Sequence, residues 1–419
     1  MSYDTLILVL AIDRGTGPEP LTEHRTKAAV PFGGKFRVID FTLANCLHSG
    51  LRQVLVLTQY KSHSLHKHLR DGWSIFNPEL GEFITPVPPQ MRESQEWYAG
   101  PFDAIRQNRY LIERSRARQV LVLDGGAVYR MDYAELVRAH VESKAEITVA
   151  VRAVKGTGSG TQAGVELTDA DLISGFARPA PAGTQNGETA ASEAERLETM
   201  GVYVFDRRFL LAEMARTDPL RTDAAGTVSA GADRDLALDF IAPLSAANRV
   251  VAYRFGQARG RVTPDRYWCD LSSIDAYYQA NMALLRAEPP LDLYQADWNI
   301  HTYQGQYPPA RTVPGAASGN EGIFVNSMLA AGTVISGGGV NHSVLFPKVR
   351  VDDGAIVEAS ILFNGVVVGP GAHLRNCVVE KEVEIPARAQ IGLDLKSDRE
   401  RFTVSAQGVV VVTKTDSLS

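Results

Sequence analysis

The sequence predicts an α/β domain built on a doubly wound, mainly parallel sheet, followed by a parallel β-helix. Two patterns carry that expectation. Through the first half, short apolar strands alternate with segments of helical spacing; beyond about Val334, apolar residues recur every six positions. Strand–helix alternation favours parallel strands joined by crossover helices. A period of six, with small residues between the anchors, suits coils that bury one apolar ladder.

The elements follow in order. Leu6 to Leu10, Gln53 to Leu57, Gln119 to Leu123 and Glu146 to Val151 are rich in Val, Leu and Ile and read as strands. Arg37 to His48, Ser62 to Leu69, Asp103 to Glu113 and Tyr133 to Ala145 have helical spacing. Pro179 to Ala194 and Ala215 to Asp233 lack periodicity and read as surface loops. Proline pairs at Pro289-Pro290 and Pro308-Pro309 mark a linker. In the last part Val334 and Val340, Val351 and Val357, then Leu362, Val368 and Leu374, and finally Ile385 and Ile391 stand six apart. A β-sandwich would instead show a period of two with turns every 8–12 residues. The expected organisation is residues 1–285 for the α/β domain, 286–313 for the linker and 314–419 for the β-helix.

A chain of 419 residues accommodates two sizeable cores. Its net charge of −5 argues against nucleic-acid binding, while leaving room for a local basic patch that takes a small phosphate ligand. Cys46, Cys269 and Cys377 are widely separated, without metal-like spacing, as for reduced thiols in a cytoplasmic protein. The strand-like start shows no signal peptide, and no run approaches the ~18–20 apolar residues of a membrane span.

The most informative stretch is Leu10-Ala11-Ile12-Asp13-Arg14-Gly15-Thr16-Gly17-Pro18, placed after the first strand where an α/β fold sets a phosphate-cradling turn. Downstream runs Lys27-Ala28-Ala29-Val30-Pro31-Phe32-Gly33-Gly34-Lys35-Phe36-Arg37-Val38-Ile39-Asp40-Phe41, then Leu57-Thr58-Gln59-Tyr60-Lys61-Ser62-His63-Ser64-Leu65. These runs resemble the ADP-glucose pyrophosphorylases (glucose-1-phosphate adenylyltransferases) of bacterial glycogen synthesis, and the resemblance extends along almost the whole chain. It implies a Rossmann-like nucleotidyltransferase domain, a left-handed β-helix, ATP and glucose 1-phosphate as substrates, ADP-glucose as product, Mg²⁺ as cofactor and a tetramer.

Adenylyl transfer to a sugar phosphate needs backbone donors and cations for the triphosphate, carboxylates for Mg²⁺, and positive groups at the transition state. The family's loop reads Gly-Gly-Arg-Gly-Thr-Arg-Leu; here two glycines are Ile12 and Asp13 and the second arginine is Gly17. Glycine lets the backbone approach phosphate, whereas Ile12 adds a β-branched side chain. A like charge from Asp13 at ~4 Å costs on the order of 4 kcal/mol at an effective dielectric near 20. The metal-binding Asp of the family's Gly-Asp-His matches Gly126, leaving Asp270 as the second metal carboxylate. Asp124, two residues back on the same strand face, is about 6.5 Å from the required place. Glu-Lys-Pro of the sugar site appears as Ala177-Arg178-Pro179, and a Phe-Gly-Lys-Asp stretch as Leu236-Ala237-Leu238-Asp239. Arg14, Lys27 and Asp270 are the catalytic remnants; Tyr98, Gly164 and Arg178 match substrate positions.

His63, His66 and His68 do not converge at helical spacing and read as a solvated face. Arg25, Lys35, Arg37 and Arg401 fall in regions that the resemblance assigns to an allosteric pocket for phosphorylated metabolites, with Arg399 beside them. Ordinary surface pairing with Asp398 and Glu400 is the competing reading of the last two. The sequence therefore points to a family member with an impaired catalytic site, modulating an active paralogue or assembling with itself. The alternative is an active enzyme with an altered metal site.

Overall fold

The computed structural model describes residues 4–12, 17–91, 97–154, 161–179, 195–216, 235–257 and 266–416. Both expected surface loops lie almost entirely outside these residues. Compactness divides the chain differently from the linear expectation. One unit comprises Met1–Asp13 with Phe41–Trp268, and the other Arg14–Asp40 with Cys269–Ser419. The segment from Arg14 to Asp40 thus belongs with the C-terminal unit rather than with the strand it follows.

The first unit contains strands β1 (Thr5–Ala11), β2 (Gln53–Thr58), β3 (Phe83–Val87), β4 (Gln119–Asp124), β5 (Ile147–Val154), β6 (Gly164–Leu167), β7 (Ile173–Ala177), β8 (Arg196–Asp206) and β9 (Val250–Arg254). Among the described residues they form one sheet in the order β7-β6-β8-β4-β1-β2-β3, with β5 pairing both β8 and β9. The run from β4 to β3 is parallel, as its continuous apolar composition requires. The long β8 is antiparallel to β4 and β5, a reversal that the alternating pattern did not disclose. Its register slips between Thr199 and Tyr203, where Gly201 has φ 70° and a Cβ would come within 2.7 Å of Asp124 Cβ.

Helices α1 (Val38–His48), α2 (His63–Gly72), α3 (Pro101–Gln107), α4 (Arg109–Arg114), α5 (Tyr133–Ser143) and α6 (Arg207–Arg216) accompany the strands. The helix expected over Asp103 to Glu113 is two helices. They break at Asn108, whose side-chain amide donates to Ala104 O at 2.8 Å and Tyr98 Oη at 2.9 Å. Asp132 caps α5 by accepting from Ala134 N at 2.9 Å.

In the second unit, Pro31–Phe32 and Phe36–Arg37 form a small hairpin. Gly33 and Gly34 turn it with φ of 60° and 76°. Helix α7 (Ile274–Ala283) holds the hairpin: Tyr277 Oη donates to Pro31 O at 2.6 Å, and Asn281 Oδ1 accepts from Gly33 N at 2.9 Å. The stretch expected as a linker is packed, with Leu291 and Trp298 fully buried. Thr302 Oγ1 donates to Asp40 Oδ2 at 2.6 Å.

Three parallel sheets then wind into a β-helix. Its core columns are Ile335-Val351-Val368-Ile385, Val340-Val357-Leu374-Ile391 and Leu345-Leu362-Val379-Val412. The ladder starts at Ile335; Val334 pairs with Arg350 outside it. Between Val340 and Ile391 successive coils are offset by seventeen residues, as Ser343, Ser360 and Cys377 show: Ser360 N donates to Ser343 Oγ and Cys377 N to Ser360 Oγ, whereas the step from Ile335 to Val351 is sixteen. One side of each seventeen-residue coil is therefore a residue shorter than a pure six-residue repeat, and the sixteen-residue step is two residues short. Helix α8 (Leu395–Arg401) follows the last coil.

His140, buried on α5, bonds Thr148 Oγ1 through Nδ1 at 2.8 Å, and burial holds its pKa down to about 4 despite Asp206 nearby. Because the folded pKa is depressed, the native state is favoured by neutral His140 above the ordinary value of about 6.5, and that contribution is lost as pH falls towards 4. Urea unfolding should lose up to about 3 kcal/mol from this residue across that window; His140→Gln should flatten the slope.

Candidate functional site

In the first unit, the chemistry-bearing edge is the carboxyl end of β1 and β4. Gly125 N donates to Leu10 O at 2.9 Å, and a Cβ at 125 would come within 3.0 Å of that oxygen. Ile12, 8% exposed, joins the apolar cluster containing Leu10, Leu57, Tyr98 and Phe102. A β-branched hydrophobe thus occupies core volume at a position where the family has glycine. Asp13 and Arg14 lie outside the described residues.

Gly126 supplies no carboxylate, and Asp124 does not replace one freely. Asp124 Oδ1 accepts from Gly126 N at 2.8 Å, its backbone oxygen accepts from Thr42 Oγ1 at 3.4 Å, and its side chain lies against Gly201. The carboxylate is turned back onto its own turn. With one Asp124 oxygen committed to Gly126 N and no carboxylate at position 126, this edge is poorer in Mg²⁺ donors than the resemblance implies.

The residues of the first unit expected at substrate positions meet other protein groups. Tyr98 is buried; its hydroxyl accepts from Asn108, and its backbone exchanges bonds with the Gln59 amide at 2.7 and 3.2 Å. Burial raises its pKa. Gly164 pairs with Ala177, and a Cβ there would come within 3.3 Å of Ala177 Cβ. The Arg178 side chain is 80% exposed and stands 3.8 Å from Asp239 Oδ1, a weak surface pair.

A buried ion cluster escaped the sequence reading. Glu198 on β8 is fully buried and accepts from Arg152 at 3.0 Å and Arg196 at 2.9 Å. The Arg152 guanidinium lies 4.4 Å from the Trp268 ring centroid. The available signal was the Arg196–Glu198 spacing, which puts both side chains on one strand face.

In the second unit, Asp270 is buried and accepts from Ser272 N at 3.2 Å. Lys27 is buried in the turn Lys27–Ala29. Arg25, 7% exposed, donates to Leu21 O at 3.2 Å and forms an ion pair with Glu380. Arg37 N donates to Asp40 Oδ2 at 2.8 Å. Burial lowers the pKa of the Arg37 guanidinium; Asp40 opposes that and the charge of Arg25 adds to it. Arg25 and Arg37 are therefore electrostatic neighbours. Lys35 lies 6.0 Å from the Phe36 ring centroid, and Arg401 4.9 Å from that of Phe402. Arg401 also acts on Asp398 of its own helix. Among the described residues, no group of three or more His, Cys, Asp or Glu is placed to hold a metal. His66 instead bonds Thr58 Oγ1 at 2.8 Å.

An α/β unit on a mainly parallel sheet, carried on the same chain as a parallel β-helix, corresponds to a nucleotidyl transferase domain followed by a hexapeptide-type domain. A nucleotidyl transferase family model matches residues 7–287, and a model for the GlmU-like C-terminal hexapeptide matches residues 308–412, as befits a left-handed β-helix. The chain is 48% identical over 410 residues to glucose-1-phosphate adenylyltransferase 2 of Vibrio cholerae, covering 98% of this chain and 97% of that one. It is 40% identical to glucose-1-phosphate adenylyltransferase of a Shewanella species (99% and 96% covered) and 39% to that of Methylococcus capsulatus (99% and 94%). The chain belongs to the glucose-1-phosphate adenylyltransferase family.

Because Ile12 fills core volume, Ile12→Gly is expected to destabilise the protein by about 2–5 kcal/mol, measured by urea unfolding. Arg178→Ala, at an exposed pair, should change stability by no more than about 0.5 kcal/mol.

Proposed function

We propose that this chain is a catalytically impaired member of the family that modulates glycogen synthesis as a subunit of a cytoplasmic oligomer. The observation that carries the reading is the carboxyl edge of β4, where Gly126 replaces the metal carboxylate and Asp124 bonds back to Gly126 N. Ile12 in the core cluster and Ala177 in place of the sugar-site glutamate support it. Family members make ADP-glucose from ATP and glucose 1-phosphate and are generally Mg²⁺-dependent. The proposed subunit keeps the scaffold and assembles as a tetramer with itself or with an active paralogue. Arg25, Lys35, Arg37 and Arg401 are its proposed residues towards a phosphorylated metabolite.

A second reading is an active adenylyltransferase with an altered metal site. Identities of 47–48% to relatives named as that enzyme favour it.

A pyrophosphate-release assay with ATP, glucose 1-phosphate and Mg²⁺ separates the two. The impaired reading expects no turnover from the purified chain; a rate on the order of 1 s⁻¹, within the range of ordinary enzymes, overturns it. Gly126→Asp alone should restore little, since residues acting as a unit are non-additive. Measurable gain is expected only when Ile12→Gly, Asp13→Gly, Gly17→Arg and Ala177→Glu accompany it. Co-expression with an active paralogue tests modulation: the activator curve should change, and Arg37→Ala should alter that change. A monomeric chain that leaves the curve untouched ends the modulatory reading.

A further inference from the structure

Gly17 stands where the resemblance places the second arginine of the phosphate loop, and its surroundings give that absence a local cause. Glu19 N donates to Gly17 O at 2.8 Å, Leu21 N to Pro18 O at 2.9 Å and Glu23 N to Pro20 O at 2.9 Å, so residues 17–23 run through successive tight turns. The turns bring Thr22 back onto Gly17. A Cβ at position 17 would lie 2.6 Å from Thr22 Cγ2, 3.2 Å from its Oγ1 and 3.4 Å from its Cβ. The first distance is far inside the ~3.5–4.0 Å at which two carbons rest against each other.

The backbone itself does not ask for glycine here. Gly17 is not among the glycines with positive φ, so alanine fits its conformation. At such a position a change from glycine to alanine ordinarily stabilises, by narrowing the unfolded ensemble. The requirement comes from Thr22. It is buried, and it follows Leu21, which is buried as well and whose carbonyl accepts from the Arg25 guanidinium at 3.2 Å. Pro18 and Pro20 fix two φ angles of the same turns. The Thr22 hydroxyl is buried without a partner among the described residues, so packing rather than a hydrogen bond sets the side chain. Being β-branched, it has few χ1 positions into which to withdraw.

We infer that Thr22 is a plug that closes position 17 to side chains, arginine included, so that the loop's second cation is excluded by an autoinhibitory contact within the fold. Residues 17 and 22 are therefore coupled: a cation returned at 17 needs the Thr22 methyl removed as well. The contact is inhibitory on the reading of position 17 under the proposed function; the coupling holds whether or not the chain turns over.

The test is a double-mutant cycle on thermal unfolding of the full chain, with Gly17→Ala, Thr22→Ser and both together. Thr22→Ser removes only Cγ2, the atom of closest approach. Gly17→Ala should melt several degrees below wild type. In the Thr22→Ser background the same change should leave the melting temperature level or raise it, because the clash is gone and the unfolded-state effect remains. A loss from Gly17→Ala that persists in both backgrounds overturns the inference, and so does a Gly17→Ala chain that melts at or above wild type. Should Gly17→Ala not yield folded protein, recovery of folded protein by Thr22→Ser is the expected result, and no recovery overturns the inference. The cycle involves no turnover. An additive cycle leaves the proposed function standing, and an active wild-type chain leaves the coupling standing.

Discussion

The chemistry-bearing edge of the α/β unit depends on how closely β4 approaches β1. Gly125 N reaches Leu10 O directly, and the space beside that oxygen leaves no room for a side chain. The turn after β4 therefore runs hard against the end of β1, and Asp124, Gly125 and Gly126 have little freedom to reposition. From the other side Gly201 admits Asp124 only because it lacks a Cβ and takes a left-handed conformation. Where Asp124 points is thus set by backbone packing on two sides, and its bond to Gly126 N is the outcome.

Much of the architecture was legible because burial on both faces leaves a simple signature. β1, β2 and β4 are runs of apolar residues with no polar interruption, and the strands found agree with those expected to within a few residues. β8 was not legible. Glu198, Thr199 and Gly201 interrupt its apolar pattern, because the buried ion cluster needs the first and the register slip needs the last. The break between α3 and α4 turns on one side chain, Asn108, which competes with the helix for Ala104 O. In the β-helix the period of six was visible, but the step from Ile335 to Val351 is sixteen residues, two short of three sixes, and the first core anchor is Ile335 rather than Val334. The Arg25–Glu380 pair spans 355 positions, a separation across which no local pattern acts.

Across the candidate positions, polar groups that a ligand would engage are satisfied by other protein groups. Tyr98 has Asn108, Arg178 faces Asp239, Arg152 and Arg196 share Glu198, and Arg25 has Glu380. A buried polar group without a partner carries a desolvation penalty of about 1–3 kcal/mol, more for a charged one. Donors and acceptors that close on one another avoid that penalty. The exposed Arg178–Asp239 contact is the weakest of these, as screening by solvent dictates, and the buried Glu198 cluster is the most committed.

Family membership and catalytic competence rest on different residues of this chain. The segments from Phe32 to Leu43 and Leu57 to Leu65 carry the resemblance, and many of their side chains are core residues: Phe32, Val38, Ile39, Phe41, Leu43, Leu57 and Leu65 are fully buried. Such residues hold the fold whatever the chemistry at the strand ends. The proposed loss of competence rests instead on a few positions at the ends of β1 and β4 and at the expected sugar site, where Ile12, Gly126 and Ala177 stand. Identity of 48% to an adenylyltransferase therefore establishes the family and its scaffold, while the proposal about the reaction concerns positions too few to move that number.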